Sequence, residues 1–403
     1  MPQESAVTFD VWMIVFWTVA AVLVYEHLGY LLMVRLLGAL FGRRGRADVA
    51  LEKLPTVSLV IPAHNEADVL EAKLENALAL DYPQDRLEII VADDASSDAT
   101  ARIARAHAYR GVTLVSSAER TGKAGMLNLG VARSSGELIC LCDANVMFRP
   151  DALRRMVARF ADPRVGAVTG DVRLVSEQSD FGRGEKTYYR LERRIQLDES
   201  RLGTTICVDG GMYVLRRELH EPLPTDTILD DFVTSVQVIR QGKRVVYEPA
   251  AVATENGTPT ASLEFRRRAR VMAGAVQALK RGHRPSIRQP LALWMFVSHK
   301  LLRWAGPLWL TLLLVSCAML WQSGTFYRAC LIGQLAVYAV AAAATLSRRF
   351  RATCLGGVVF YFAMSHVSMT WGLLKGLFNL QPVAWQPTAR ARVVENPKAN
   401  ASN

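Results

Sequence analysis

Long apolar segments near both ends of the chain constrain its fold more than any other feature. They run over 11–40, 301–320, 326–346 and 355–378, and each approaches or exceeds the roughly 20 residues that span a bilayer as a helix. The chain has 403 residues and is 51% hydrophobic, and the excess is concentrated in these segments. The middle, about 55–265, has the composition of a soluble domain. Because the first segment is too long for a signal-peptide core, we predict a membrane anchor.

The chain has a net charge of +11, and basic residues flank the apolar segments. The basic residues concerned are Arg35, Arg43, Arg44 and Arg46 around the end of the first segment, and Arg348, Arg349 and Arg351 after the third. Loops rich in Lys and Arg stay on the cytoplasmic side, so we expect a multi-pass membrane protein with a cytoplasmic middle. We expect membrane lipid, and not nucleic acid, as the partner of this charge.

The middle of the chain alternates strand-like and helix-like patterns. The predicted strands are 57–61, 87–93, 111–115 and 137–143, and the predicted helices are 67–79, 97–109, 123–133 and about 150–160. This alternation is typical of an α/β fold with a mostly parallel sheet covered on both faces. In such sheets, ligands bind beyond the carboxyl ends of the strands.

Polar side chains follow three of these predicted strands. They are His64, Asn65 and Glu66 after the first, Asp93 and Asp94 at the second, and Asp143 and Asn145 at the fourth. Each alone is equally well explained as a turn residue or helix cap. Because all three groups fall on the same predicted edge, together they favour a binding site.

The chemistry of this edge suits a sugar nucleotide. Carboxylates accept hydrogen bonds from ribose and base, and Asp143 can reach a diphosphate through Mg²⁺ or Mn²⁺. Lys123 begins a predicted helix after a glycine-containing turn, which is a favourable place for an anion. Further along, Asp230 and Asp231 precede an amphipathic helix. One of them could cap it, but a carboxylate whose pKa is raised by its neighbour can also serve as a general base.

Cations interleave with apolar residues after Phe265. We predict amphipathic helices over 266–300 that lie in the membrane interface, and Trp294, Trp304 and Trp309 fit an interfacial aromatic belt. Four spans would place the C-terminus outside, although the tail (381–403) looks at least as suited to the cytoplasm. Either one segment is re-entrant, or 289–321 contains more than one membrane element.

Six stretches occur in the order and spacing of the family 2 glycosyltransferases, which the chain resembles over nearly its whole length. They are "VSLVIPAHNEADVL", "VADDASSDAT", "GKAGMLNLG", "CDANV", "GGMYVLRR" and "LDDF". The spans resemble the membrane-embedded branch of that family, which includes cellulose, chitin-oligosaccharide, hyaluronan and poly-N-acetylglucosamine synthases. The resemblance implies a GT-A (Rossmann-like) cytoplasmic domain over 48–265, between an anchor (1–47) and helices over 266–300 and 301–380.

The resemblance also implies roles for individual residues. Asp94 would contact uracil, Glu66 the nucleoside, and Lys123 would lie near the nucleotide. Asp143 and Asn145 match the Asp-x-Asp metal motif, and Asp231 matches the proposed base of the Thr-Glu-Asp motif, with Asp230 beside it. Gly210, Gly211 and Tyr213 fall in the acceptor loop. Arg267 and Arg270 lie in the stretch that corresponds to Gln-x-x-Arg-Trp, with Arg270 in the register to face the pyrophosphate.

Two positions depart from the family pattern. The second metal-motif residue is Asn145, which brings an oxygen ligand but no charge, and the Gln and Trp of Gln-x-x-Arg-Trp are missing. We therefore keep two enzyme hypotheses. The first is an inverting transferase that uses a UDP-sugar to build a β-linked polysaccharide or oligosaccharide, with a glycan acceptor and export or accessory subunits. The second is transfer of one sugar to a polyprenyl-phosphate carrier.

Two readings outside catalysis also remain. A non-catalytic nucleotide-binding subunit is supported by Asn145 alone. A channel or transporter would use Glu26 and His27, which are ionisable residues inside the first span. The sequence does not identify the sugar.

Overall fold

The computed structural model describes residues 2–42, 53–175, 182–257 and 260–382. The predicted boundary at 47/48, three of the flanking arginines (Arg43, Arg44 and Arg46) and most of the tail lie outside these ranges. Strands β1–β8 cover Val57–Ala63, Leu87–Asp94, Val112–Ser117, Leu138–Cys142, Met147–Phe148, Val165–Leu174, Met212–Arg216 and Arg244–Glu255.

Helices occupy much of the remaining chain. Helices α1–α15 cover Pro2–Val24, Tyr30–Phe41, Ala67–Leu78, Thr100–Ala106, Gly122–Arg133, Ala152–Ala158, Gly182–Leu202, Asp230–Arg240, Ala261–Lys280, Pro290–Phe296, Leu302–Trp304, Gly306–Met319, Thr325–Leu346, Arg348–Arg351 and Cys354–Leu377. Two π-helical turns, Tyr25–Gly29 and Val297–Leu301, join α1 to α2 and α10 to α11.

The strands form one mixed sheet within the described residues, in the order β3-β2-β1-β4-β7-β6-β8-β5. The strands β3, β2, β1 and β4 are parallel, so their carboxyl ends meet at one edge. The strand β7 runs antiparallel to both β4 and β6. This confirms the predicted parallel α/β half, whereas the antiparallel half extends beyond what the sequence pattern showed.

Burial on both faces explains why β1 reads as a continuous apolar run. All seven of its residues are buried, because α3 and α6 cover one face of the sheet and α5 covers the other. Gly130 permits this packing, since a Cβ there would overlap the Val60 side chain of β1. The α/β alternation of the sequence therefore follows from a sheet enclosed between helical layers.

Three helical segments are long and apolar enough to cross a membrane, namely Asp10–Phe41, Thr325–Leu346 and Cys354–Leu377. The number becomes four if Pro290–Trp304 and Gly306–Met319, which meet at 61°, form one broken span. These figures apply to the described residues. The bend shows that the ambiguous sequence segment 289–321 contains two helical elements.

A buried charged network joins the first candidate membrane segment to helix α7, which packs against the sheet domain. His299 lies between two glutamates of α7, with Nδ1 at 2.7 Å from Glu199 Oε1 and Nε2 at 2.8 Å from Glu192 Oε1. The hydroxyl of Tyr30 in α2 donates to Glu199 Oε1 at 2.6 Å. Lys300 and Arg303 also pair with Glu192. Burial opposes these carboxylate charges, but the neighbouring cations hold the pKa values of both glutamates below their ordinary values.

The two π-helical turns face each other beside this network. The hydroxyl of Tyr25 lies 2.8 Å from Ser298 Oγ and accepts a hydrogen bond from Trp294 Nε1 at 3.0 Å. The α2 helix and the α10–α11 segment are therefore fixed in register with each other and with α7.

Candidate active site

Two strained turns form the edge where β1 and β2 end. Asn65 after β1 and Ala95 after β2 both have positive φ, 52° and 51°. Their loops bind each other, because Ser97 N donates to Asn65 Oδ1 at 2.8 Å and Asn65 N donates to Ser96 Oγ at 2.9 Å. A left-handed Ala is costly, and such strain is concentrated at functional sites.

Asp94 holds the start of α5 in place. Its carboxylate accepts hydrogen bonds from Thr121 N at 2.6 Å and from Gly122 N at 3.0 Å. Thr121 Oγ1 also donates to Asp94 Oδ1 at 3.4 Å, and Arg120 Nε lies 3.8 Å from Oδ2. The predicted nucleotide contact therefore also positions the next residue of α5, which is Lys123.

Lys123 bridges two of the acidic groups predicted for the site. Its Nζ lies 2.8 Å from Asp143 Oδ1 and 3.4 Å from Asp230 Oδ2. Burial opposes the ammonium charge, yet Asp143 and Asp230 hold the pKa of Lys123 well above its ordinary value. The loops after β4 and before α8 therefore meet at one cation.

Asp231 has the ionisation expected of a general base. Burial and the negative charge of Asp230 raise the pKa of the Asp231 carboxyl to about 6, although the positive charge of Lys123 acts in the opposite direction. Gly210 keeps the approach to this carboxylate open, since a Cβ there would lie 3.3 Å from Asp231 Oδ2. The next glycine links this segment to the end of β4, because Gly211 O accepts a hydrogen bond from Asp143 N at 3.4 Å.

The two arginines predicted for the site point to different places. Arg270 in α9 interacts electrostatically with the Asp230, Asp231 and Asp143 side chains, and burial lowers its pKa. Its Nε is buried without a hydrogen-bond partner in the described structure. Arg267, three residues earlier, instead pairs with Glu264 at 2.7 Å and donates to Tyr189 Oη at 3.0 Å. Glu264 and Tyr189 thus engage the Arg267 guanidinium, which favours Arg270 over Arg267 as the arginine that contacts substrate.

Tyr213 lies on the buried side of the same cluster. It lies on β7 opposite Leu141 and Thr169, and its side chain is only 1% exposed. Because β7 is a central strand with helices on both faces, the ring packs in the core, and burial raises the pKa of its hydroxyl. The hydroxyl also interacts electrostatically with Asp230, Lys123 and Asp231, and the place of Tyr213 in the acceptor loop stays a prediction. Glu66 is also buried, and its backbone N–H donates to Thr100 Oγ1 at 2.9 Å at the start of α3.

A small pocket opens between the ends of β1, β2 and β4. Its lining comprises Pro62, Ala63, His64, Asp94, Lys123, Met126, Asp143 and Ala144. His64 Nδ1 lies 2.7 Å from the backbone oxygen of Asp94, which fixes the ring at the pocket wall. The sequence placed His64 at this edge without a role, and its position after β1 was the available signal.

Asp209 was missed by the sequence reasoning. Its carboxylate accepts a hydrogen bond from Gly211 N at 3.0 Å, while burial and the charges of Glu255 and Asp231 raise its pKa to about 7. The signal that could have identified it is the adjacent Gly210–Gly211 pair, because glycines often mark a close approach to a functional carboxylate.

The residues of the predicted metal motif offer only oxygen ligands. The Asp143 side chain is 33% exposed towards the pocket, and Asn145 contributes an amide oxygen that accepts no hydrogen bond from the described residues. Hard oxygen ligands of this kind fit Mg²⁺ or Mn²⁺. The compact His–carboxylate group of the described residues, Glu71, Glu75 and His107, lies instead on α3 and at the end of α4, where Arg110 pairs with Glu75.

Comparison with known proteins agrees with this arrangement. Residues 58–223 match the family model described as "Glycosyl transferase family 2". The chain is 28% identical over 260 residues to a poly-β-1,6-N-acetyl-D-glucosamine synthase of Staphylococcus aureus (strain MSSA476), covering 62% of this chain and 63% of the synthase. It is 30% identical over 250 residues, or 56% of each chain, to the probable glycosyltransferase YdaM of Bacillus subtilis (strain 168).

A solved structure shows the same fold. The mannosyltransferase PcManGT from Pyrobaculum calidifontis, in complex with GDP-mannose and Mn²⁺, aligns with a TM-score of 0.68 at 24% identity, over 91% of this chain and 100% of that chain. The alignment shows that the fold of this chain is that of a GT-A domain. More particularly, residues 58–223 match the model of the family 2 glycosyltransferases, which is the family that the sequence resembles, and the fold is the one that this resemblance implied.

Proposed function

We propose that the protein is an inverting glycosyltransferase of the bacterial inner membrane that moves a sugar from a UDP-sugar to an acceptor hydroxyl. The product is a β-linked polysaccharide or oligosaccharide, made by a cytoplasmic catalytic domain and passed outward with export or accessory subunits. The name of the Staphylococcus aureus relative, a polysaccharide synthase, supports this proposal.

One observation carries the proposal. Asp230 and Asp231 lie in one cluster with two cations, since Lys123 Nζ is 3.4 Å from Asp230 Oδ2 and Arg270 interacts electrostatically with both carboxylates. Burial and the charge of Asp230 also raise the pKa of Asp231, which suits a base. A base and a pair of cations are the groups that a displacement at an anomeric carbon requires. The base activates the acceptor, and the cations stabilise the diphosphate that leaves.

In this mechanism Asp231 removes the proton of the acceptor hydroxyl as its oxygen attacks the anomeric carbon. The glycosidic C–O bond forms while the C–O bond to the UDP phosphate breaks, so the configuration inverts. Lys123 and Arg270 balance the negative charge that develops on the departing UDP. Asp230 keeps the pKa of Asp231 raised and pairs with Lys123.

Asp143 and Asn145 are the residues that would hold Mg²⁺ or Mn²⁺ beside the diphosphate. The cation would supply further neutralisation of the leaving group. The structural relative that was solved with Mn²⁺ and a nucleotide sugar is consistent with this choice. Asp94 and Glu66 are proposed to contact the uracil and the nucleoside, and Gly210 and Gly211 to leave room for the acceptor.

The test uses the full chain in nanodiscs. Radiolabelled UDP-sugars are offered singly with Mg²⁺ or Mn²⁺, with and without polyprenyl phosphate, and both UDP release and product size are followed. A high-molecular-weight, glycosidase-sensitive product without added lipid supports the synthase. A lipid-extractable product that carries one sugar identifies the carrier transferase instead. Absence of UDP release from every donor refutes both.

A further inference from the structure

Asn145 is hydrogen-bonded to a carboxylate that lies 110 residues away in the sequence. Its Nδ2 donates to Glu255 Oε1 at 2.8 Å, and the asparagine is only 7% exposed. Only the amide nitrogen can donate to a carboxylate. The contact therefore assigns the orientation of the carboxamide and directs its Oδ1 away from Glu255.

The sheet brings these two residues together. The short strand β5 pairs antiparallel with β8, with Met147 opposite Thr254 and Phe148 opposite Ala253. Asn145 and Glu255 lie just beyond this ladder, where β8 ends. The backbone oxygen of Glu255 also accepts a hydrogen bond from Val175 N at 2.9 Å, so the strand end that carries the carboxylate is fixed.

The contact compensates for the charge that an amide lacks. With Asn in place of Asp, the pair Asp143 and Asn145 presents one formal negative charge to a divalent cation, where two aspartates would present two. Glu255 restores a second charge one hydrogen bond further out. Groups that orient a ligand in this way typically change metal affinity by roughly 10–100-fold when they are removed.

We infer that Glu255 is a positioning residue for a divalent-cation site, which holds Asn145 with Oδ1 turned towards the cation and supplies the charge that the amide lacks. The inference rests on the proposed function, because the cation is the one that would neutralise the leaving diphosphate. In this arrangement the Asn145–Glu255 pair together carries the negative charge that an aspartate at position 145 would carry alone.

The test is Mn²⁺ binding to the full-length protein in nanodiscs with UDP present, measured by the electron paramagnetic resonance signal of free Mn²⁺. The variants are Glu255→Gln, which removes the charge at nearly constant shape, and the double variant Asn145→Asp/Glu255→Gln. The double variant exchanges carboxylate and amide, so the hydrogen bond and the total charge both remain. Glu248→Gln is the matched control, since Glu248 lies on the same strand and pairs with Arg159.

Glu255→Gln is expected to weaken Mn²⁺ binding at least tenfold, and the double variant to return to within about threefold of the wild type. An unchanged affinity in Glu255→Gln overturns the inference and leaves the proposed function intact. A double variant as weak as Glu255→Gln also overturns it, because Glu255 would then act independently of Asn145. If the wild-type protein with UDP binds no Mn²⁺, the inference fails, whereas the proposed function is decided separately by UDP release.

Discussion

Replacing Asp231 with Asn tests the catalytic base most directly. The amide keeps the size of the side chain but cannot take a proton from the acceptor. Loss of a general base typically costs 10²–10⁴-fold in rate, so transfer should fall by about that factor. UDP binding should stay within about threefold of the wild type, because Lys123 and Arg270 are unchanged.

The pH dependence of the wild type follows from the raised pKa of Asp231, about 6. A base works when it is deprotonated, so kcat/KM should rise with pH and level off above about 7. At pH 5 only about one molecule in ten carries the ionised base, which predicts about tenfold lower kcat/KM than at pH 7.5. An ordinary aspartate would instead lose activity near pH 4.

The same shift predicts an effect on stability with a definite sign. An acid whose pKa is raised in the folded state binds protons more tightly there than in the unfolded chain, so its ionisation reduces stability as the pH rises from about 4 to 6. Two pKa units correspond to up to about 3 kcal/mol. Asp231→Asn should therefore unfold at a higher temperature than the wild type at pH 7.5, with no difference near pH 4.

The assay is UDP release from the turned-over donor in nanodiscs, alongside thermal unfolding at both pH values. Asp226→Asn is the control, since Asp226 precedes the same helix but pairs with Arg281 at the surface. It should change kcat by less than about twofold. Equal loss of transfer and UDP binding in Asp231→Asn, or a midpoint near pH 4 in the wild type, would refute the assignment of Asp231.

Three further substitutions test other parts of the structure. Arg270→Ala should lower kcat/KM by about 10–100-fold in the UDP-release assay, because a charged hydrogen-bond donor to the diphosphate contributes about 1.5–3 kcal/mol. His299→Ala should destabilise the protein by about 3–5 kcal/mol in thermal unfolding, since it leaves Glu192 and Glu199 buried without their shared partner. Gly130→Ala should cost about 1–3 kcal/mol in the same measurement, because the added methyl overlaps Val60.

Each substitution has a control elsewhere in the chain. Arg267→Ala should keep a kcat/KM close to that of the wild type, unlike Arg270→Ala. Similar losses in both variants would contradict a specific role for Arg270 at the site. Glu221→Gln, at an exposed site, should unfold at the same temperature as the wild type. A His299→Ala variant with an unchanged unfolding temperature would contradict the role of the buried network. Gly333→Ala meets open space and should be neutral or stabilising, unlike Gly130→Ala.

The parts of the fold that local sequence determines were predictable. The strands and helices in the first half of the domain were predicted from the periodicity of apolar residues. Asp94 and Asp143 were predicted to lie close together because parallel strands bring their carboxyl ends to the same edge of a sheet. Asp230 and Asp231 were identifiable as neighbours on the chain. The structure places Lys123 between Asp143 and Asp230, as expected for a shared site.

The contacts that depend on register between distant segments were not predictable. The pairing of Asn145 with Glu255 depends on how β5 aligns with β8, which no local pattern encodes. Likewise the hydrogen bond from Arg267 to Tyr189 joins α9 to α7, 78 residues apart in the sequence, and depends on how these two helices pack. The burial of the Tyr213 ring was not predictable either, because a motif specifies order along the chain and not the direction of a side chain.

The two facing π-helical turns also limit which segments can be exchanged with those of a related protein in a chimera. One residue added to or removed from a helix rotates everything beyond it by about 100°. A deletion within 25–29 alone would therefore swing Tyr30 away from Glu199, and a deletion within 297–301 alone would do the same to Arg303 and Glu192. An anchor taken from a related protein should consequently function in a chimera only if the segment 290–304 is exchanged with it.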